Sequence, residues 1–383
     1  MTILVIHQSA ELYGSDKTLL HLVSALQGSE ISFIIVLPFD GPLRPELEKC
    51  GAKVIIAPVI KISRKMFTPG NVFSLPTQVW RGFAAVKKQL GKTKIDLVYS
   101  NTLAVMFGAL YAKRFRLPHL WHVHEIIEHP KIIARSYPKL VRRFSNVAVF
   151  NSFATQDFML SQLPALSKIS QVVHNGIDRP EPKDNRDEVR SRFFDADKDS
   201  VVIALVGRIS RWKGQKLLAE AFSKMKSSAA TKLVFVGSAP PGQDHFEREL
   251  QQTVSHFGLT DKTKMVAFTD DIWSIWDAID IAVVPSTEPE PFGLVAIEAM
   301  LAKKPVVGAN HGGLVEIIRE SETGNLFTPG NASELAECLD ALSDSLELRK
   351  TFGNKGFEIA TEHFSQKSYT DAFLEIFSRF SRK

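Results

Sequence analysis

The sequence predicts an α/β protein of two doubly wound, parallel-sheet domains facing a central cleft. Three observations predict it. Apolar runs such as Phe33-Ile34-Ile35-Val36-Leu37 and Ile281-Ala282-Val283-Val284 are continuous, as in strands buried on both faces. These runs alternate with helical stretches along the chain, the order that a parallel Rossmann-like sheet requires. A length of 383 residues suits two domains, each with its own core.

In the first half, strands are expected near 3–7, 31–37, 53–57, 95–100, 118–124 and 146–151, with helices at 15–27 and 102–116 in two of the gaps. Asp178 to Asp199 is rich in Pro, Asp, Arg and Lys and marks a junction. The first domain is therefore expected over 1–175 and the second over 176–365. Strands in the second half fall near 201–207, 231–237, 264–268, 279–285 and 305–308, with helices at 214–226 and 292–302. A last helix is expected at about 366–380.

With 44% hydrophobic and 23% charged residues, the composition is that of a soluble globular protein. Cys50 and Cys338 are far apart and form no disulfide or metal pattern, which suits a reducing compartment. Met1-Thr2-Ile3-Leu4-Val5-Ile6-His7 reads as a strand, without the basic flank and longer apolar run of a signal peptide. The longest apolar span, Leu103 to Ala112, is about half the roughly 20 residues that a membrane helix needs. A cytoplasmic protein is expected.

Charge is unevenly divided. Residues 1–175 hold 21 Lys and Arg against 10 Asp and Glu (+11); the remainder holds 26 against 32 (−6). Bases cluster at Lys61-Ile62-Ser63-Arg64-Lys65, at Lys87, Lys88, Lys92 and Lys94, at Lys113, Arg114 and Arg116, and from Lys131 to Arg143. Met66, Phe67, Phe73, Trp80, Phe83 and Phe115 are interleaved with them. Basic residues with apolar neighbours suit a peripheral position on an anionic membrane surface. Ordinary solvated helix faces are the other reading. Nucleic acid would attract the same charge, but no nucleic-acid module is recognisable.

Two segments carry the chemistry. Pro285-Ser286-Thr287-Glu288-Pro289-Glu290-Pro291-Phe292-Gly293-Leu294 turns from a strand into a helix, with Glu298 about two turns inside the helix. A helix start offers free N–H groups to an anion, and flanking carboxylates can hold hydroxyls. The pair Glu290 and Glu298, seven residues between them, is by itself common. Upstream, Ala204-Leu205-Val206-Gly207-Arg208-Ile209-Ser210-Arg211-Trp212-Lys213-Gly214 joins a strand, a glycine and a loop with three cations. Arg208 can grip a diphosphate through two oxygens, and Lys213 adds a point charge.

Together these segments resemble the retaining family 4 glycosyltransferases of the GT-B fold. Gly207, Arg208, Lys213 and Gly214 match that family's Gly-Arg-x4-Lys-Gly loop, and Glu290, Phe292, Gly293 and Glu298 match its Glu-x7-Glu pattern with Phe-Gly. His174-Asn175-Gly176-Ile177-Asp178 and His311-Gly312-Gly313-Leu314-Val315-Glu316 extend the likeness. The resemblance implies that Glu298 takes the ribose hydroxyls and Glu290 a hydroxyl of the donor sugar. It implies that N–H groups around Phe292, Gly293 and Leu294 orient sugar and phosphate, with Pro291 beside them in the donor site, and that the base rests near Val266-Ala267-Phe268. The last helix would cross back to the first domain.

In the first half, the resemblance assigns Gly14, the second of the family's usual glycine pair, to the donor diphosphate, although Tyr13 stands where the family has the first. A turn glycine is the alternative for Gly14. His124 matches the histidine placed near the sugar's primary hydroxyl. Strand alternation puts His122 on the same face, so either could reach the cleft. A metal site from His122, His124, Glu125 and His129 is a weaker reading, because the family needs no metal and no cofactor. Asp195-Ala196-Asp197 imitates a metal-binding Asp-x-Asp but lies in the charged junction, and reads as surface.

The function implied is retaining transfer from a nucleoside-diphosphate sugar, UDP- or GDP-linked, to a lipid-linked or cell-surface glycan, as in polysaccharide or lipopolysaccharide assembly. Alternatives are a sugar-nucleotide epimerase of the same fold, a transferase to a soluble acceptor, and a non-enzymatic sugar-nucleotide binder.

Overall fold

The computed structural model describes residues 1–12, 14–59 and 69–381, with backbone alone over 69–76. Tyr13, the Lys61–Lys65 cluster, Met66, Phe67 and the Phe73 side chain lie outside the described residues. The chain divides into two compact units, Met1–Gly176 with Gln366–Lys383, and Ile177–Ser365.

The first unit is a seven-stranded sheet. Its strands are β1 (Thr2–His7), β2 (Ser32–Leu37), β3 (Lys53–Ile56), β4 (Leu97–Asn101), β5 (His119–Val123), β6 (Val147–Phe150) and β7 (Ser170–Val172). The order is β3-β2-β1-β4-β5-β6-β7, with every pairing parallel. Successive side chains of a strand point to opposite faces. Ile3, Val5, Phe33 and Ile35 accordingly pack in one layer, with Tyr369, Phe373, Ile376 and Phe377 of the helix Gln366–Ser378. Leu4, Ile6, Ile34 and Val36 pack in the other, with Val86, Phe107 and Tyr111. Both layers demand apolar residues, which is why these strands show no polar alternation.

The second unit has six parallel strands, β8 (Val201–Val206), β9 (Thr231–Val236), β10 (Thr263–Val266), β11 (Ile281–Val284), β12 (Val306–Ala309) and β13 (Gly324–Phe327). Their order is β10-β9-β8-β11-β12-β13. In each unit the chain winds outward one way from its first strand and then returns to wind the other way. The reversal falls between β1 and β4 in one unit and between β8 and β11 in the other, and such switch points are where open α/β sheets bind ligands.

Several elements differ from the sequence expectation. β7 and β13 are additional strands. β7 is three half-buried residues, and β13 opens on a glycine whose place no Cβ could take, 1.8 Å from Val306 O. Neither gives an apolar run. The helix expected from 292 begins at Leu294, because Gly293 sits at φ +116, so Glu298 lies little more than one turn inside. The helix expected from 102 begins at Met106, after Thr102 at φ +96. The charged stretch after Asp178 is anchored to the second unit. Arg190, almost fully buried, donates to the carbonyls of Ala278, Asp197, Lys198 and Ser200 and pairs with Asp280; Arg186 pairs with the same carboxylate and Arg179 with Asp277. Asp195 is exposed and pairs with Lys232 and Lys264.

Of the apolar residues among the bases, Phe83 and Phe115 turn inward, with Phe83 packing edge-on to Tyr111 at 5.3 Å and tilted against Phe115 at 6.2 Å. Trp80 remains 71% exposed. Among the described residues, no helix is long and apolar enough to cross a membrane.

Candidate active site

In the second unit, the residues singled out by sequence follow the carboxyl ends of β8, β10 and β11. β8 ends at Val206 and β11 at Val284, so the loops after them flank the switch point. Lys213 Nζ donates to Glu290 Oε1 at 2.6 Å, and Ser286 Oγ donates to the same oxygen at 2.6 Å. The Glu290 side chain is 6% exposed and that of Lys213 17% exposed. Lys213 also lies 4.3 Å from the centre of the Trp212 ring. A partly buried ammonium, held by a carboxylate and an aromatic face, is fixed in place before any ligand arrives.

Backbone contacts weld the two loops together. Thr287 N donates to Trp212 O at 2.8 Å. Gly214, at φ +80, passes so close to β11 that a Cβ would stand 1.9 Å from Pro285 O. On the other side, Gly313 N donates to Glu290 O at 2.7 Å, and His311 Nε2 bonds Ser286 O at 2.8 Å. A Cβ on Gly312 would stand 2.3 Å from Glu290 O, which explains the glycine pair there.

Glu298, half-buried, accepts from Trp276 Nε1 at 3.2 Å. Phe292 is buried and meets Phe364 edge-on at 6.0 Å, so its ring is a wedge in the core, while Pro291 and Leu294 stay half-buried. Arg208 is exposed just past Gly207, and Gln215 Nε2 holds its carbonyl at 2.8 Å. After β10, Phe268 is 54% exposed. Val266 and Phe268 line a cavity of about 510 Å³, together with Arg192, Phe193, Asp271 and Ile275.

The first unit has its own polar constellation at its switch point. His7 ends β1 and Asn101 ends β4, and the two are register partners. His7 Nε2 bonds Asp16 Oδ1 at 2.6 Å, Asn101 Nδ2 bonds His7 Nδ1 at 3.1 Å, and His124 Nε2 bonds Asn101 Oδ1 at 2.8 Å. Burial, with His7 nearby, pushes the His124 pKa down to about 3, so the ring is neutral near pH 7. His122 does share His124's face, with ring centroids 3.9 Å apart, but it is fully buried and its Nδ1 meets Tyr99 OH at 2.8 Å. It belongs to the core. No group of three His, Cys, Asp or Glu among the described residues could hold a metal ion. Gly14 opens the helix Gly14–Ala25, and a Cβ there would meet nothing within 4 Å.

Ser286, Trp212, Trp276, His7, Asp16 and Asn101 were not singled out as site residues by sequence. A usable signal existed for two of them. His7 and Asn101 are polar residues closing otherwise apolar strands, where the carboxyl end of a parallel sheet opens to ligand.

Comparison with known proteins follows the same two halves. Residues 187–359 match the family model for glycosyl transferases group 1, and residues 13–180 match that for glycosyltransferase family 4. The solved structure of Anabaena HepE in complex with UDP aligns with a TM-score of 0.84 at 27% identity, over 99% of this chain and 100% of that one. D-inositol 3-phosphate glycosyltransferase of Corynebacterium kroppenstedtii is 26% identical over 84% of this chain and 76% of its own length. Sulfoquinovosyl transferase of Arabidopsis thaliana is 25% identical over 74% of this chain, which spans 56% of that relative.

Proposed function

This chain belongs to the family 4, group 1 glycosyltransferases of the GT-B fold, and from that membership we propose that it transfers a sugar from UDP or GDP, with retention, to a lipid-linked or cell-surface glycan. That it is a glycosyltransferase using a nucleotide sugar follows from the family. The finer reading rests on the arrangement around Lys213 and Glu290 at the switch point of the second unit.

The second unit holds the donor. Glu298 takes the ribose, and Val266 and Phe268 flank the base beside the cavity they line. HepE has been solved with UDP and with UDP-glucose, which favours UDP among the candidate nucleotides. Glu290 accepts from a hydroxyl of the sugar, and the N–H groups around Gly293 and Leu294 orient the phosphate. In the reaction, the bond from the anomeric carbon to the phosphate oxygen breaks as the acceptor oxygen bonds to that carbon on the same face. The acceptor's proton passes to the leaving phosphate oxygen. Negative charge grows on the diphosphate, where Arg208 and Lys213 stabilise it without a metal ion. His124 of the first unit takes a hydroxyl of the sugar, and Gly14 lets backbone approach the diphosphate.

A membrane-surface acceptor is favoured by the helix Lys131–Phe144. It exposes Lys131, Arg135, Lys139, Arg142 and Arg143 together with Ile132, which is 78% exposed. The test is nucleotide release from UDP-, GDP- and ADP-sugars in EDTA, with and without membrane lipid extract. Release from one donor, raised by the extract, is expected. Release needing an added metal, or unaffected by lipid but raised by a soluble sugar, would replace this reading with a metal-dependent or a soluble-acceptor transferase. Isomerised donor without acceptor would mark an epimerase.

A further inference from the structure

We propose that Asp16, His7 and Asn101 form a hydrogen-bond relay that fixes His124 as the Nε2–H tautomer, leaving Nδ1 as an acceptor for a ligand hydroxyl. A carboxylate only accepts, so the 2.6 Å contact of Asp16 Oδ1 with His7 Nε2 puts a proton on that nitrogen. Ser9 Oγ donates to the other carboxylate oxygen at 3.4 Å. The Asn101 amide presents its N–H₂ to His7 Nδ1 at 3.1 Å, so that nitrogen is the acceptor of the pair.

The amide orientation has an independent support. Asn101 Nδ2 also lies 3.3 Å from the Ser15 carbonyl, which can only accept. The amide oxygen therefore faces the other way, toward His124 Nε2 at 2.8 Å, with Tyr99 OH at 3.4 Å. An acceptor at 2.8 Å places the His124 proton on Nε2. His7 and Asn101 are at most 1% exposed and Asp16 is 2% exposed, so water does not compete for these bonds. Three residues from β1, β4 and the helix Gly14–Ala25 thus set the proton position on a fourth, which follows β5. Asp16, His7 and Asn101 are positioning residues; they act through His124 and need not touch substrate. A histidine locked this way presents a lone pair at Nδ1, ready to accept a hydrogen bond.

The inference rests on the proposed contact of His124 with the transferred sugar only for its catalytic consequence, and the test separates the two. Asn101→Leu removes the acceptor of the His124 Nε2–H without supplying another. The measurement is the two-bond and three-bond ¹⁵N–¹H pattern of the labelled protein at pH 7, with the His7 and His124 signals identified by their loss in His7→Gln and His124→Gln. The Nε2–H pattern is expected for both histidines in the parent protein, and a mixture of both His124 tautomers in Asn101→Leu. UDP release from UDP-glucose should then fall about threefold in kcat with KM unchanged, the scale of one weakened hydrogen bond. A single Nε2–H form of His124 retained in Asn101→Leu overturns the relay. A mixed pattern with unchanged UDP release upholds the relay and removes His124 from the reaction proposed above. Should Asn101→Leu fail to fold, the parent protein decides, because an Nδ1–H form of either histidine there overturns the proposal.

Discussion

Lys213 Nζ stands 2.6 Å from Glu290 Oε1, although 77 residues separate the two along the chain. Sequence reading gave the lysine to the diphosphate and the glutamate to the sugar. The structure joins them, with Ser286 as second donor to the same oxygen. A charge already held in position has little reorganisation left to undergo when the leaving group develops its own charge. Lys213→Ala is expected to lower kcat by about 10²–10³, the scale of one removed electrostatic donor. Stability should drop by only about 1–3 kcal/mol, because Ser286 still serves the carboxylate. Steady-state kinetics beside a urea melt would show it; near-parental kcat would exclude Lys213 from transition-state stabilisation.

Trp276 Nε1 donates to Glu298 Oε2 at 3.2 Å. Trp276→Phe keeps the buried ring and removes the donor. The donor KM should rise roughly fivefold, about 1 kcal/mol, with kcat nearly unchanged. A loss confined to kcat would argue that Glu298 serves the reacting centre and not the ribose.

Two glycines should respond in opposite ways. Gly214→Ala meets both an unfavourable φ of +80 and the Pro285 carbonyl, and should cost at least about 1–3 kcal/mol in thermal or denaturant unfolding. Gly14→Ala enters open space at the start of a helix and should leave the melting temperature unchanged or slightly raised. If donor phosphate approaches the backbone there, Gly14→Ala weakens donor binding nonetheless. Unaltered affinity by calorimetry would leave Gly14 as a plain turn residue.

The first unit should lose stability in acid. Burial pushes the His119 pKa to about 4 and that of His124 to about 3, while His122 also falls well below its usual range. Unfolded histidines titrate near about 6.5, so between that pH and the lowered values the unfolded chain binds more protons than the folded one. Stability is therefore complete above about pH 6.5 and declines by about 1.4 kcal/mol per pH unit for each such histidine below it. Denaturant midpoints from pH 7 to 4.5 test this, and His119→Asn should flatten the slope. A midpoint independent of pH over that range would contradict these pKa directions.

Much of this was legible in one dimension. The strand–helix alternation, the strands buried on both faces and the Gly207–Gly214 and Pro285–Leu294 loops all depend on neighbours in the chain. Even there, local geometry shifted boundaries. Gly293 at φ +116 postponed the helix to Leu294, and strands as short as Ser170–Val172 carried too few apolar residues to be seen. Phe83 and Phe115, read among surface bases, are half-buried against the core because their helices turn them toward Tyr111.

By itself the sequence determined the α/β class, the strand faces and the chemical character of the loops that end β8 and β11, since these follow from periodicity and residue type. The tertiary structure decided which side chains meet. Lys213 finds Glu290 because β8 lies beside β11, and His7 finds Asn101 because β1 lies beside β4. Strand order and register are set by burial of both sheet faces at once, a property of the whole fold, so no spacing along the chain could have announced those contacts.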